Sequence, residues 1–166
     1  MEEIDFYEIS GFENAKKKSL DLLARKRYAK NELLNKLLKY DINESAAEAA
    51  CIWAEQYGFL NDLEYAKSYI SDAVRVKKKG IRKIFYELYL KGIDKNTAED
   101  ALSEIKDEIN IQENIDSLIK KRLKDPDDKK QLQSTVRFLL SRGYEFSDIK
   151  NGIKEYTEEF EFEQDY

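Results

Sequence analysis

The chain repeats itself at an interval of 51 residues, and this interval constrains the fold more than any other feature. Apolar, small and helix-ending residues recur at matching positions in three segments of the 166-residue chain. The matched sets are Leu33–Ile84–Thr135, Leu34–Phe85–Val136, Leu37–Leu88–Leu139, Leu38–Tyr89–Leu140, Asp41–Gly92–Gly143, Ile42–Ile93–Tyr144, Ala47–Ala98–Ile149, Ala50–Ala101–Gly152 and Cys51–Leu102–Ile153. Self-similarity at a fixed interval of this size is typical of tandem structural repeats, whose neighbours share a core.

Each repeat has the apolar spacing of helices, because hydrophobic residues recur three and four positions apart. Gly is scarce, with 6 residues, and Pro occurs once, at position 126. We expect Asn43 and Asn61 to cap helices, and we expect Asp41, Gly92 and Gly143 to mark the ends of the middle helices. The nine predicted helices lie near residues 14–27, 29–40, 44–57, 62–78, 80–91, 95–107, 111–124, 128–141 and 146–156.

The predicted fold class is all-α, with three tandem three-helix repeats forming an elongated, curved body. The predicted parts are an acidic N-terminal segment (1–13), repeats at 14–58, 59–109 and 110–156, and an acidic C-terminal tail (157–166). Such a body suits a long surface laid along a partner better than a deep catalytic pocket. Residues 4–9 and the tail have strand-like composition, which leaves open a small ribbon, separate packing or a disordered tail.

Charge divides the chain into an acidic pair of ends and a mildly basic body. The whole chain has a formal net charge of −5. Residues 1–13 and 157–166 each hold five acidic residues and no basic ones, so the body between them has 29 basic and 24 acidic residues, a net charge of +5. A basic body favours an anionic partner.

The densest positive segment is RVKKKGIRK, residues 75–83, in which six of nine residues are basic and none is acidic. Lysine and arginine are favoured near helix C-termini, so a solvated helix end is the simplest interpretation. Clustering of like charge costs self-repulsion, however, and this favours a binding surface for DNA phosphate or acidic protein residues. We expect these side chains to be mostly exposed; the candidate binding residues are Arg75, Lys77, Lys78, Lys79, Arg82 and Lys83.

Two smaller basic clusters lie at the end of the predicted first helix of a repeat. The 51-residue shift relates Lys26 to Lys77 and Arg27 to Lys78, whereas the cluster of the third repeat is several residues out of register. The clusters are interpreted either as compensation of helix dipoles or as a basic stripe along the repeats. Their candidate binding residues are Arg25, Lys26, Arg27, Lys120, Lys121 and Arg122.

Composition argues against most catalytic and metal chemistry. The chain has no His and one Cys, so a Cys/His zinc site cannot be built and the commonest general base is missing. No spacing of carboxylates indicates a Mg²⁺ site, and no glycine-rich phosphate loop is present. We therefore expect no cofactor and no enzyme activity; a carboxylate–metal nuclease is the enzyme alternative.

The chain has no run of 18 apolar residues, and its N-terminus lacks an apolar signal region. A single cysteine fits a reducing compartment. We expect a cytoplasmic monomer without membrane contact.

Aromatic residues and the cysteine are assigned to packing. Trp53, Tyr57, Phe59, Tyr65 and Tyr69 gather where the first two repeats meet. Base stacking on these rings is conceivable, but their helical spacing favours packing between repeats. Cys51 matches Leu102 and Ile153 in the repeat, so we expect a core residue and not a nucleophile.

Residues 58–93, GFLNDLEYAKSYISDAVRVKKKGIRKIFYELYLKGI, resemble the signature of the RecX family of recombination regulators. The matching residues are Gly58, Phe59, Leu60, Asn61, Asp62, Tyr65, Ala66, Gly80, Ile84, Glu87, Leu88, Lys91, Gly92 and Ile93. Residues 20–38 are similar to the family's first repeat, and the resemblance covers about residues 15–155. Glu64 and Ile81 depart from the pattern, where the family often has Arg and Pro.

The resemblance implies a bent chain of three-helix repeats that binds the RecA nucleoprotein filament. Family members are expected to limit filament growth, DNA-dependent ATPase and strand exchange, and they are not enzymes. The segment RVKKKGIRK would then face DNA phosphate or acidic RecA residues. The alternative is a helical nucleic-acid-binding protein that acts without RecA, because three-helix units can present a helix to a DNA groove.

Overall fold

The computed structural model describes residues 5–157, and these form nine α-helices, two short 3-10 helices and no strand. The 3-10 helices lie at Phe6–Glu8 and Lys106–Glu108. The α-helices are α1 (Phe12–Leu23), α2 (Lys30–Leu38), α3 (Glu44–Gln56), α4 (Asp62–Arg75), α5 (Ile81–Leu90), α6 (Lys95–Ile105), α7 (Ile111–Arg122), α8 (Lys129–Ser141) and α9 (Phe146–Lys154). The all-α prediction is confirmed, and every predicted helix is present within a few residues of its expected ends.

The predicted caps are formed by the expected side chains. Asn43 Oδ1 accepts the N–H of Ala46 at 2.8 Å, and Asn61 Oδ1 accepts the N–H of Glu64 at 3.0 Å. Each bond satisfies a backbone donor that has no partner within the first turn of a helix. These caps place the starts of α3 and α4.

The repeated helix ends at positions 41, 92 and 143 share one backbone conformation. Asp41, Gly92 and Gly143 have φ angles of 57°, 84° and 86°, in the left-handed region. The residue after each of them is buried, as expected for the apolar contact that accompanies such a cap. The interval of 51 residues therefore reports backbone geometry as well as side-chain type.

The described chain divides into two compact units. Among the described residues, unit 1 comprises 5–68 and 88–101, and unit 2 comprises 69–87 and 102–157. Residues of α4, α5 and α6 are thus shared between the units. The boundaries of the three sequence repeats remain a prediction.

The core of unit 1 is built by α1, α2 and α3, with α1 packed mainly against α3. Small residues let α1 and α3 approach, because the face of α3 is formed largely by alanines. Cys51 is almost fully buried here, and this burial raises the pKa of its thiol to about 12. The prediction of a core cysteine is confirmed.

The core of unit 2 includes a cluster from α7, α8 and α9. Its buried members are Ile115, Ile119, Leu123, Leu132, Val136, Leu139, Tyr144, Ile149 and Ile153. Leu37 in unit 1 and Leu139 in unit 2, which the repeat relates, are both fully buried. Tyr89 belongs to the next matched set, one residue further along the helix, and it is exposed. The repeat therefore predicts the inner helix face well and the outer face poorly.

The segment at residues 5–9 differs from the strand-like expectation. Phe6–Glu8 form a 3-10 helix capped by Asp5, whose carboxylate accepts the N–H of Tyr7 at 3.0 Å. Phe6 and Phe12 stack with ring centroids 5.4 Å apart, so burial of Phe6 decides the local conformation. The expectations for residues 158–166 lie outside the described residues. Within residues 5–157, none of the helices has the length and apolar character needed to cross a membrane.

Candidate partner-binding surfaces

The α4–α5 loop, residues 76–80, carries the centre of the RVKKKGIRK segment and lies in unit 2. Side chains from the end of α8 hold its backbone. Arg142 donates from Nε to the carbonyl of Lys78 at 2.9 Å and also donates to the carbonyl of Lys77. Tyr144 donates its hydroxyl to the same Lys78 carbonyl at 2.7 Å. Burial raises the pKa of Tyr144 to about 12, so the hydroxyl keeps the proton that it donates.

Backbone contacts close the other side of this loop. The N–H of Gly80 donates to the carbonyl of Arg142 at 2.8 Å, and the N–H of Arg82 donates to the carbonyl of Gly143 at 3.1 Å. A Cβ atom at Gly80 would lie closer than 3.0 Å to the backbone of Gly143. Only glycine therefore fits at position 80, and the loop is held in a fixed shape.

Lys79 points inward and forms an ion pair in the half-buried space beside α5. Its Nζ lies 2.6 and 2.7 Å from the two carboxylate oxygens of Glu87, and Tyr69 donates its hydroxyl to Glu87 at 2.8 Å. Partial burial acts to raise the pKa of Glu87, but the hydrogen bonds from Lys79 and Tyr69 and the charge of Lys83 outweigh it, so the net pKa is lowered. Lys79 therefore stabilises the fold.

The remaining cations of the segment differ in their contacts. Lys78 is half-buried and donates to Ser117 Oγ at 2.8 Å, while Arg75 donates to the carbonyl of Glu108 at 2.8 Å. Arg82 lies 3.8 Å from a carboxylate oxygen of Glu145. Arg75, Lys77, Arg82 and Lys83 are exposed, as expected. The expectation of exposure is wrong for Lys78 and Lys79, because both reach polar partners inside unit 2.

The cluster at the end of α7 adjoins this segment within unit 2. Ser117, which binds Lys78, precedes Lys120 and Lys121 by three and four residues, so these side chains share one helix face. Lys120, Lys121 and Arg122 are exposed, and the Arg122 guanidinium lies 4.1 Å from the ring centroid of Phe138. The structure therefore brings two of the three predicted basic clusters together.

The third cluster, residues 25–27, lies in unit 1 and is exposed. These residues form the loop after α1, where Arg27 donates to Ser68 Oγ and the Nζ of Lys26 lies 4.2 Å from the ring centroid of Tyr28. No carboxylate pairs with these three cations among residues 5–157. Their charge is therefore available to a partner.

A groove of about 280 Å³ opens beside residues 25–27 in unit 1. It is lined by Leu23, Arg27, Tyr28, Gly58, Phe59, Asn61, Glu64 and Tyr65. Phe59 stacks on Trp53, with centroids 5.4 Å apart and an interplanar angle of 16°. The predicted aromatic cluster thus contributes two of its rings, Phe59 and Tyr65, to a groove that also contains a candidate cation.

A second carboxylate site lies in unit 1 and resembles the Glu87 site. Glu32 accepts from Lys91 Nζ at 2.6 Å, from Tyr65, and from the N–H of Ala29 at 3.3 Å. Partial burial acts to raise the pKa of Glu32, but these hydrogen bonds outweigh it and the net pKa lies below the ordinary value. Burial is the main cause that raises the pKa of Tyr65, and the hydrogen bond to Glu32 raises this pKa further.

These contacts explain why the residues of the family signature occur together. Asp62 accepts the N–H of Lys30 at 2.8 Å, and Gly92 leaves no room for a side chain beside Asn31. Leu60, Ala66, Ile84, Leu88 and Ile93 are buried. The signature residues therefore act mainly to stabilise the fold.

The sequence reasoning missed two groups of residues. The contacts of Arg142 and Tyr144 with the α4–α5 loop have no sequence signal, because their partners lie 64 to 66 residues away; the repeat indicated only that Tyr144 is buried. The outward face of α5 carries Tyr86, Tyr89 and Leu90, all more than 60% exposed. Their positions on the helix opposite the buried Ile84 and Leu88 could have revealed this face. It continues the exposed cations Arg82 and Lys83 along one helix.

Comparison with known proteins gives consistent results. A model of the second three-helix domain of RecX matches residues 61–102. The regulatory protein RecX of Clostridium perfringens strain 13 is 30% identical over 152 residues, covering 88% of this chain and 70% of the relative. RecX of Clostridium botulinum strain Alaska E43 is 33% identical over 145 residues, covering 84% of this chain and 66% of the relative. The chain thus spans about two thirds of the length of these relatives.

A solved structure agrees with the sequence comparison. The crystal structure of RecX from Lactobacillus salivarius matches with a TM-score of 0.76 and 26% identity, covering 87% of this chain and 96% of that chain. The overall fold and the sequence therefore point to one family. The chain belongs to the RecX family of regulatory proteins.

Proposed function

We propose that this protein regulates homologous recombination and DNA repair without catalysing a reaction itself. It binds the RecA nucleoprotein filament and limits filament growth, and with it the ATPase and strand exchange that depend on the filament. Family membership carries this proposal, because the matched relatives bear the name regulatory protein. The protein acts in the cytoplasm as a monomer and needs no cofactor.

The geometry of unit 2 supports a contact with an anionic surface. Lys77, Arg82 and Lys83 are exposed on a loop and helix that the contacts of Arg142, Tyr144 and Gly80 hold in place. A pre-organised backbone loses little conformational entropy on binding, so more of the electrostatic attraction appears as affinity. Tyr86, which is exposed on the part of α5 that lies in unit 2, adds aromatic surface, which is enriched at protein interfaces.

The decisive experiment is RecA-dependent ATP hydrolysis on single-stranded DNA, with RecA from the same organism and this protein titrated in. We expect inhibition at well below one molecule per RecA, because blocking filament growth affects many protomers at once. Unchanged hydrolysis at a saturating concentration of this protein would refute the proposal.

Charge reversal locates the contact. We expect the triple variant Lys77→Glu, Arg82→Glu, Lys83→Glu to inhibit at least tenfold less well at low salt, and the difference to shrink as salt rises. The matched control is Lys106→Glu, Lys129→Glu, Lys130→Glu, which makes the same charge change at other exposed positions of unit 2. Equal loss in both triples would mean that net charge acts without a specific surface.

The second candidate is a nucleic-acid-binding protein that acts without RecA. It is supported by the exposed cations of residues 25–27, which have no carboxylate partner among residues 5–157. DNA binding together with an unaffected RecA ATPase would favour this candidate.

A further inference from the structure

We propose that the groove of unit 1 holds one unstacked base of a single-stranded nucleic acid, with the adjoining phosphates on Arg25, Lys26 and Arg27. This site is separate from the cations of the RVKKKGIRK segment. The inference does not depend on RecA, so it can fail or succeed independently of the proposed function.

The aromatic lining supports a base as the ligand. Phe59 uses one face of its ring to stack on Trp53, yet the residue is 52% exposed and lines the groove, so its ring can also meet a ligand there. Tyr28 and Tyr65 line the same groove. Proteins bind single strands by stacking bases on such rings, and every base has a face that can stack.

The size of the groove fits a small planar group. Its volume of about 280 Å³ lies just below the range of roughly 300–1,000 Å³ that is usual for small-molecule sites. Gly58, in the left-handed conformation, lines the groove next to open space, because a Cβ atom there would meet nothing within 4 Å. A single base is a suitable occupant.

The charges around the groove favour an anionic ligand over a neutral one. Glu64 is the only acidic residue of the lining, and it is paired with Lys67. Glu55 of α3 is paired with Lys30 at the start of α2, at 2.5 Å. The three cations at residues 25–27 are left to interact with phosphates, which supply most of the affinity of such sites.

The chain contains its own reporter of this site. Trp53 is its only tryptophan and stacks directly on Phe59. A base that stacks on the other face of Phe59 should therefore change the fluorescence of Trp53. Binding elsewhere on the protein should leave this emission unchanged.

The test compares two labelled oligonucleotides of twelve units, oligo-dT and an abasic strand with the same phosphates, by fluorescence anisotropy with the wild-type protein. We expect oligo-dT to bind about tenfold more tightly, as expected for one stacked base, and to change Trp53 emission in a saturable way. Equal binding of the two strands, or no change in emission at saturation, would overturn the proposal.

Three variants assign the roles of the residues, with folding checked by circular dichroism. Phe59→Leu should reduce oligo-dT affinity about fivefold to tenfold and leave the abasic strand unaffected. Arg27→Gln should weaken the binding of both strands about equally. The control is Lys39→Gln at the other end of α2, which should change the affinity for either strand by less than about twofold. Equal effects of Arg27→Gln and Lys39→Gln would contradict a local phosphate contact.

An acidic aromatic peptide is the competing ligand. A labelled peptide of alternating Glu and Phe should bind more weakly than oligo-dT and should not displace it. If the peptide binds more tightly, in a manner sensitive to Phe59→Leu, then the groove is a protein-docking site and the nucleic-acid proposal is wrong.

Discussion

The loop after α1 and the loop after α4 occupy equivalent places in the repeat but are built differently. The 51-residue shift relates Arg27 to Lys78, and both loops carry three consecutive basic residues, 25–27 and 77–79. In unit 2 the loop backbone is held by Arg142, Tyr144 and the glycine contact, and Lys78 and Lys79 turn to internal partners. In unit 1 all three cations are exposed beside a groove.

This difference shows that similar charge patterns have different roles in the two units, stabilising the fold in one and remaining exposed in the other. Internal ion pairs and carbonyl contacts in unit 2 use part of the positive charge for folding, because half-buried charges must be matched. The cations of unit 1 remain at the surface, where they cost little and attract anions. Counting basic residues along the sequence therefore overestimates the binding surface of unit 2.

The largest expected effect tests the rigid backbone of the α4–α5 loop. Gly80→Ala should lower the free energy of unfolding by about 3 kcal/mol, because the added methyl group would overlap the Gly143 backbone. Urea denaturation followed by circular dichroism measures the change. Gly58→Ala is the matched control in unit 1, where space is open and only the left-handed backbone costs about 1 kcal/mol. If both substitutions lowered the free energy of unfolding equally, the α4–α5 loop would not be more tightly packed around its glycine than the loop at Gly58.

The side-chain contacts of the same loop should have the next largest effect. Tyr144→Phe removes a donor from the carbonyl of Lys78, and Arg142→Gln removes the guanidinium donors from the carbonyls of Lys77 and Lys78. Each substitution should cost about 1–2 kcal/mol in urea denaturation. Arg27→Gln in unit 1 loses only a bond to the Ser68 side chain and should stay within about 0.5 kcal/mol. A cost for Arg27→Gln as large as for Tyr144→Phe would mean that both loops are held alike.

The two carboxylate sites should make stability depend on pH in the same direction. The pKa values of Glu32 and Glu87 are lowered in the folded protein, so their stabilisation is complete above the ordinary glutamate pKa and is lost as pH falls through the folded pKa. Glu32→Gln and Glu87→Gln should each cost about 1 kcal/mol at pH 7, and this cost should decline below about pH 4. Urea denaturation across pH 3–7 measures it; a cost that grows on acidification would contradict the lowered pKa values.

The smallest effect concerns the exposed cations of the two loops. Lys26→Gln and Lys77→Gln should each change the free energy of unfolding by no more than about 0.5 kcal/mol, because both side chains are exposed. Thermal or urea denaturation at moderate salt is sufficient. A clear loss of stability at Lys77 would place it with Lys79 among the structural cations and reduce the proposed binding surface.

The sequence predicted the helices and the buried face because those features are local and periodic. Three- and four-residue spacing predicts a helix, and the interval of 51 residues predicts which positions share a core, down to the left-handed residues at 41, 92 and 143. Asparagine caps were also predictable, since the capping side chain and the backbone N–H that donates to it lie three residues apart. The residues of the family signature could be recognised before their contacts were known.

The division of the basic residues into structural and exposed ones was decided only by tertiary structure. Whether a lysine meets solvent or a polar side chain depends on residues distant in the chain, such as Ser117 for Lys78 and Glu32 for Lys91. The same holds for the groove of unit 1, which brings Arg27 and Phe59 together through the packing of α1, α3 and α4. Local pattern determines helices and their inner faces, because helix formation and burial follow the three- and four-residue spacing of apolar side chains. Long-range packing determines the surface chemistry, because no repeat or motif encodes which side chains meet there.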